Sequence, residues 1–322
     1  MEMSFGKTRL AMVFLFVILA VNFTVAQKPL VTVDQDLEPT GVGHDVRPAA
    51  PGGFAVVTGN GINYHNGPVL KGNPVPVYIV WYGNWAGTGS NTAATRSAIE
   101  HFIATIGNSA IEKVNTTYGD TTGNVSGNVS FGGSTIVSSA TNLSDTSLRT
   151  TVGNAISSGR LPKDPNGVYF VLSSSNINET SGFCTRYCGF HTHATLSGSD
   201  IKYAFVGNVD RCPSGCESQT TGPNSPVTGQ GGIDGMANVI SHELEETISD
   251  PDLNAWFDSS GQENADKCNF NFGATTTCAS GSLCTAAAIS AKAKFNQSFG
   301  SHDYLLQQNW RNSGGGACAQ HL

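Results

Sequence analysis

The stretch DGMANVISHELEETIS, residues 234–249, predicts a helix with two chemically different faces. Its apolar residues recur at helical spacing and form one stripe, which consists of Met236, Val239, Ile240, Leu244 and Ile248. Asp250-Pro251 ends the helix, because the residue before a proline disfavours the α region. The helix therefore packs on a core through this stripe and leaves its other face for polar chemistry.

The polar face carries residues 242–246, which have the form H-E-x-x-E. At about 100° per residue, His242 and Glu246 lie about 40° apart. In the related H-E-x-x-H helix, two residues one turn apart hold a metal and the intervening Glu activates water. We therefore expect His242 and Glu246 to bind a metal and Glu243 to be the catalytic base, while Glu245 faces solvent. The alternative is an ordinary solvated helix face, on which His and Glu are common.

A metal needs further protein ligands, and the segment 261–268 offers two acidic residues. Glu263 is the first choice and Asp266 the second. His191 and His193 would add imidazoles if they lie on a strand, because residues two apart share a face; otherwise they are loop histidines held by backbone hydrogen bonds. We expect zinc as the cofactor, with calcium or manganese as alternatives for a set rich in carboxylates.

Strands and helices alternate before the predicted helix at 234–249, which we call the His-Glu helix. The predicted strands are Val75–Tyr82, Asn124–Phe131, Thr135–Ser138, Val168–Leu172 and Tyr203–Val206, and the predicted helices are Thr92–Gly107 and Asp145–Ile156. This order predicts an α+β fold: a mixed β-sheet backed by helices in a zincin-like arrangement, with a disulfide-stapled C-terminal part. We expect a single domain over residues 62–322, preceded by a poorly ordered lead-in or propeptide at 27–61.

The first residues indicate the compartment. Lys7 and Arg9 precede an apolar run from Leu10 to Val21, and small residues follow to Ala26, which predicts a signal peptide over residues 1–26. We therefore expect a secreted, extracellular protein without a membrane span. The chain has 17 basic and 24 acidic residues and a formal net charge of -7, which argues against nucleic acid as a partner.

Eight cysteines lie in the second half of the chain, at Cys184, Cys188, Cys212, Cys216, Cys268, Cys278, Cys284 and Cys318. An even number behind a signal peptide predicts four disulfides, whose pairing the spacing leaves open. The alternative is a zinc site built from the two C-x3-C pairs. Sequons predict a glycoprotein and occur at Asn115, Asn124, Asn128, Asn142, Asn178 and Asn296.

Aromatic residues suggest a different kind of site. Trp81, Tyr82, Trp85, Trp256 and Phe257 could stack on a sugar, although core packing is the commoner role beside apolar runs. The sequence has no G-x-S-x-G elbow and no phosphate-binding glycine loop, which argues against a serine hydrolase and against nucleotide use.

Short motifs follow one another over about residues 64–318. They include Tyr64-His65-Asn66-Gly67-Pro68, Ile79-Val80-Trp81-Tyr82-Gly83, Cys188-Gly189-Phe190-His191, Val206-Gly207-Asn208, Ser241-His242-Glu243-Leu244 and Asn254-Ala255-Trp256. Their order and spacing resemble the plant phosphate-induced protein 1 family, also called the EXORDIUM family. The resemblance implies an apoplastic or cell-wall-associated protein linked to growth, with a His-Glu pair and a later Glu at His242, Glu243 and Glu246. The tail after Phe272, with Cys278 and Cys284, departs from the plant pattern.

The sequence leaves three functions open. The first is an extracellular or cell-wall-associated protein of this family, linked to growth regulation and acting on wall or extracellular partners, with a metal site on its His-Glu helix. The alternative is a secreted zinc-dependent, metallopeptidase-like hydrolase. The third is a cell-wall polysaccharide-binding protein.

Overall fold

A computed structural model describes residues 61–218, 220–225 and 232–322 of the chain. The predicted signal peptide and the predicted lead-in up to residue 60 lie outside the described residues. The strands are β1 (Asn63–Tyr64), β2 (Val75–Tyr82), β3 (Gly119–Asp120), β4 (Gly123–Asn124), β5 (Val129–Val137), β6 (Val168–Ser173), β7 (Gly189–Leu196), β8 (Ser199–Gly207), β9 (Trp256–Phe257), β10 (Thr276–Thr277), β11 (Lys294–Phe295), β12 (Gln297–Phe299), β13 (His302–Tyr304), β14 (Asn309–Arg311) and β15 (Ala317–Ala319). The α-helices are α1 (Ala93–Ile106), α2 (Asp145–Ser157), α3 (Pro213–Cys216), α4 (Gly232–Ser249) and α5 (Ala286–Ser290), and 3-10 helices span Glu112–Thr117, Val209–Arg211 and Asp266–Cys268.

The centre of the fold is a five-stranded mixed sheet in the order β5-β2-β6-β8-β7. The first four strands in this order are parallel, and β7 runs antiparallel to β8 at the edge. Strand β6 is buried throughout and β2 almost throughout, as expected for parallel strands covered on both faces. The turn between β7 and β8 has positive φ at both Ser197 and Gly198, which suits a two-residue hairpin.

Helices cover both faces of this sheet. Helix α4 packs on β7, β8 and α1, and α2 packs on β6 and β2. Tyr203 interacts with Arg149 of α2, whereas its neighbour Ala204 is paired with His191, which faces α4. Because successive strand residues point to opposite faces, α2 and α4 lie on opposite sides of the sheet. The predicted mixed sheet backed by helices is confirmed.

The three predicted long helices are confirmed, and their caps follow from the sequence. The Thr92 side chain accepts from the Thr95 N–H at the start of α1, and Ser144 forms a capping box with Ser147 at the start of α2. Both caps satisfy backbone N–H groups that have no partner inside the helix.

One strand prediction needs correction. The strand predicted at Asn124–Phe131 begins only at Val129, and it continues into the strand predicted at Thr135–Ser138 to form one strand, β5. The register between β5 and β2 shifts at Gly132, as in a β-bulge. A Cβ on Gly132 would lie 2.4 Å from the Tyr78 ring, so glycine leaves room for this tyrosine instead of ending the strand.

The predicted four disulfides are confirmed as Cys184–Cys212, Cys188–Cys216, Cys268–Cys318 and Cys278–Cys284. These bridges use all eight cysteines, so the alternative zinc site built from the C-x3-C pairs is wrong. The C-terminal part combines two of the bridges with short strand pairs, as predicted. The single domain over residues 62–322 stays a prediction.

The burial of individual residues decides two further points, and for three of the aromatic residues it agrees with the commoner role of core packing. Trp81, Tyr82 and Trp85 are buried, so they cannot stack on a sugar; Trp256 and Phe257 are half-buried. Asn115 is fully buried and its amide donates to the Glu245 carbonyl, so this sequon cannot carry a glycan in the folded chain. Within the described ranges, no helix is both long and apolar enough to cross a membrane.

Candidate metal centre

Helix α4 is buried on nearly every side. Every residue except Ile233 is buried, because β7, β8, α1 and the 3-10 helix Glu112–Thr117 surround the helix. The prediction that Glu245 faces solvent is therefore wrong, since only 2% of this residue is exposed. Angular position on the helix indicated the direction of Glu245, but it did not indicate what packs there.

His242 and Glu246 lie one turn apart on α4 and meet a third residue from the C-terminal part. His242 Nε2 lies 3.1 Å from Glu246 Oε1 and 3.5 Å from Asp266 Oδ1. The Asp266 backbone N–H donates to Glu246 Oε1 at 2.9 Å. The 3-10 turn that begins at Asp266 therefore holds the Glu246 carboxylate in place.

His191 on strand β7 and Glu263, which lies in the loop before the 3-10 helix Asp266–Cys268, complete the cluster. His191 Nε2 lies 2.9 Å from Glu263 Oε2 and 3.8 Å from Glu246 Oε2. Tetrahedral zinc with bonds of about 2.0 Å separates its ligand atoms by about 3.3 Å, so these distances suit a metal. The five predicted ligands thus lie together: His191, His242, Glu246, Glu263 and Asp266. Their role as ligands stays a prediction.

These five side chains are enclosed by protein. The side chains of His191, His242, Glu246 and Glu263 are 0% exposed, and that of Asp266 is 9% exposed. Glu246 Oε2 and Glu263 Oε1 have no hydrogen-bond partner among the described residues. A buried carboxylate oxygen without a partner is costly, and a bound cation would remove that cost.

The carboxylates also affect each other's proton affinity. Burial, reinforced by the charge of Asp266, raises the pKa of Glu246 to about 7. Burial raises the pKa of Glu263 well above its ordinary range, and the charges of Glu246 and Asp250 add to this shift. Both shifts have the direction expected when buried acids lack sufficient positive charge nearby.

Glu243, the predicted catalytic base, lies against β7. A Cβ added to Gly189 would lie 2.7 Å from Glu243 Oε1, so a glycine is required where α4 approaches this strand. The charge of Glu243 adds to the raised pKa of Glu263. The role of Glu243 as a base stays a prediction.

Gln307 contacts the centre and was not predicted from the sequence. Its amide nitrogen lies 3.0 Å from His242 Nδ1 and donates to the Ala265 carbonyl at 3.1 Å. The Gln307 side-chain oxygen accepts from the Phe270 backbone N–H at 3.2 Å, so Gln307 ties His242 to the residues on both sides of the 3-10 helix Asp266–Cys268. Gln307 belongs to no motif, and nothing in the sequence marks it.

His193 lies outside the candidate metal centre. Its Nδ1 lies 2.8 Å from Asp200 Oδ1, and Lys202 Nζ lies 2.7 Å from Asp252 Oδ1 in the same group of side chains. The lysine already supplies a positive charge to these carboxylates, and its ammonium has no lone pair to offer a metal. Of the two histidines considered on this strand, the structure brings only His191 to the centre.

Glu112 and Glu245 are a second pair of buried carboxyl groups, and their burial makes the stability of the protein depend on pH. Burial raises the pKa of Glu112 from 4.5 to about 8. Between these values the folded chain holds a proton that the unfolded chain releases, so this group makes the free energy of unfolding fall as pH rises, by about 1.4 kcal/mol per pH unit. In Glu112→Gln we expect a flatter decline, measured by urea unfolding from pH 5 to pH 8. If the free energy of unfolding falls equally steeply with pH in both proteins, the raised pKa of Glu112 is contradicted.

Comparison with known proteins identifies the family. The model of the phosphate-induced protein 1 conserved region matches residues 62–320, which include the whole candidate metal centre. The chain belongs to the phosphate-induced protein 1 family. The resemblance inferred from the short motifs is therefore confirmed.

Two relatives within the phosphate-induced protein 1 family come from Arabidopsis thaliana. Protein EXORDIUM-like 5 is 32% identical over 222 residues, which are 61% of this chain and 59% of the relative. Protein EXORDIUM-like 3 is 32% identical over 224 residues, which are 61% of this chain and 64% of the relative. The matched part spans less than two thirds of either relative. No solved structure matches the chain.

Proposed function

We propose that this member of the phosphate-induced protein 1 family is a secreted metal-binding protein with an enclosed divalent metal centre. The ligands are His191, His242, Glu246, Glu263 and Asp266. The observation that carries the proposal is the convergence of these residues from a strand, a helix and a loop, with buried carboxylate oxygens that lack hydrogen-bond partners. Zinc suits the imidazoles, and manganese or calcium suits the carboxylates.

Secretion is supported by two independent features. The pattern over residues 1–26 is that of a signal peptide, and the four disulfides are typical of an oxidising compartment. The cell-wall location and the link to growth regulation rest on the family alone, and we include them as part of the same proposal.

Enclosure of the centre favours a structural metal over a catalytic one. Structural zinc sites are closed, whereas catalytic sites keep one coordination position open to substrate. Here the four innermost ligand side chains are 0% exposed. The ion would join α4 to β7 and to the segment of Glu263 and Asp266, and so hold the C-terminal part on the sheet.

A secreted metallopeptidase-like hydrolase is the second candidate. The position of Glu243 favours it, because this side chain lies against Gly189 on the strand that carries His191, and the Glu of an H-E-x-x-H helix activates a metal-bound water. A zincin-like layout belongs to this candidate, with α4 packed beneath the antiparallel edge strand β7. It predicts peptide cleavage that Glu243→Gln abolishes while the metal content stays unchanged.

Elemental analysis of the purified secreted protein tests the metal centre. We expect stoichiometric zinc, manganese or calcium in the wild type after dialysis, and loss of the ion in His242→Ala and Glu246→Ala. His193→Ala is the matched control, since this histidine lies on the same strand as His191 but outside the centre. A folded wild-type protein that takes up no metal would refute the proposal.

A further inference from the structure

The ligand atoms of the candidate metal centre form two groups, and Glu246 belongs to both. One group consists of His191, Glu246 and Glu263, and the other of His242, Glu246 and Asp266. Within each group the ligand atoms lie within 4.8 Å of one another. Each group therefore has the composition of a metal site in its own right: one imidazole, one terminal carboxylate and the shared Glu246.

The two oxygens of Glu246 face different histidines. Oε1 lies 3.1 Å from His242 Nε2, and Oε2 lies 3.8 Å from His191 Nε2. A carboxylate with one oxygen toward each set of ligands is the usual bridge between two ions, which lie about 3.5–4 Å apart in two-metal sites. A single ion bound by all five residues would not require the two oxygens of Glu246 to face different histidines.

The charge of the buried region also fits two ions. Three carboxylates belong to the ligand set: each group has one of its own, Glu263 or Asp266, and both share Glu246. A divalent ion in each group would compensate the carboxylates of that group. Uncompensated charge in a low-dielectric interior is strongly unfavourable.

Asp250 is a buried carboxylate that lies outside both groups. Its Oδ1 accepts hydrogen bonds from the Asn254 and Ala255 backbone N–H groups, both at 2.6 Å. These donors stabilise the carboxylate at the end of α4 without an ion.

We propose that the centre is dinuclear, with Glu246 bridging one divalent ion held by His191 and Glu263 and a second held by His242 and Asp266. This inference rests on the proposed metal centre and specifies its stoichiometry. It also assigns separate roles to residues that a mononuclear site would use together, so each half can be removed independently.

Metal counting combined with electron paramagnetic resonance tests the inference. The full secreted chain is saturated with Mn²⁺, freed of excess ion and analysed for manganese per chain. We expect two ions in the wild type and an exchange-coupled spectrum. Glu263→Gln and Asp266→Asn should each retain about one ion and give the six-line signal of isolated Mn²⁺, because each substitution removes a ligand from one half only. His193→Ala should retain two ions.

The outcomes separate this inference from the proposed function. One manganese per wild-type chain with an isolated six-line signal would overturn the dinuclear centre and leave the metal centre standing. No bound manganese, zinc or calcium would overturn both. If the variants fail to be secreted, the wild-type count and spectrum still decide between one ion and two.

Discussion

Adding EDTA to the purified protein is expected to lower its melting temperature by about 8 °C or more. A ligand present at about 1,000 times its Kd stabilises the folded state by about 4 kcal/mol. For a chain of this size each kcal/mol corresponds to about 2 °C. Removing the metal also leaves the enclosed carboxylates of Glu246 and Glu263 without positive charge, which adds to the loss. The melting temperature is measured by circular dichroism with and without EDTA, followed by restoration with zinc.

Two variants serve as controls for the EDTA experiment. Glu246→Gln removes the shared ligand, so its melting temperature should already be low and should not respond to EDTA. His193→Ala should respond as the wild type does, because His193 contacts Asp200 and not the centre. An equal EDTA effect in Glu246→Gln would mean that the metal acts elsewhere, and no effect in the wild type would contradict a stabilising metal.

Much of the candidate metal centre could be predicted because helical geometry is regular. The spacing of His242 and Glu246 fixes them on one face of α4 whatever the rest of the chain does. The choice of Glu263 and Asp266 relied on their proximity to a cysteine that a bridge could anchor, and Cys268 is indeed bridged to Cys318. His191 reaches the centre because it lies on the strand that packs against α4.

The remaining contacts depend on tertiary packing that a single helix does not encode. Gln307 comes from an irregular tail, and its contact with His242 bridges 65 positions of sequence. The burial of Glu245 depends on the 3-10 helix that begins at Glu112, which no periodic pattern predicted. Both contacts are set by long-range packing, and local propensity carries no information about it.

The fold shows the same division between local and long-range information. The apolar runs of β2 and β6 and the amphipathic pattern of α1 are local signals, and their structure follows the prediction. The continuity of β5 through Gly132 depends on a tyrosine from the neighbouring strand. A glycine pair alone predicts a turn equally well, so only the partner strand decides between the two.

Removing the Cys268–Cys318 bridge should destabilise the protein and weaken its metal binding together. The bridge closes a loop of 50 residues, and loop-closure entropy gives it about 4 kcal/mol of stabilisation. It also anchors the 3-10 helix Asp266–Cys268, which supplies one ligand and follows Glu263 closely. In the Cys268→Ser/Cys318→Ser double variant we expect a lower free energy of urea unfolding and weaker zinc affinity by competition with a chromophoric chelator.

The Cys278–Cys284 bridge provides the matched control. It closes a loop of only 6 residues, for which the same relation gives about 2 kcal/mol, and it contributes no ligand to the centre. Its double serine variant should therefore lose less stability and bind zinc as the wild type does. The anchoring argument is wrong if both variants keep wild-type zinc affinity. Weaker binding only in the Cys268→Ser/Cys318→Ser variant would show that the bridge positions Glu263 and Asp266, because a general loss of stability would affect both variants in proportion to their loops.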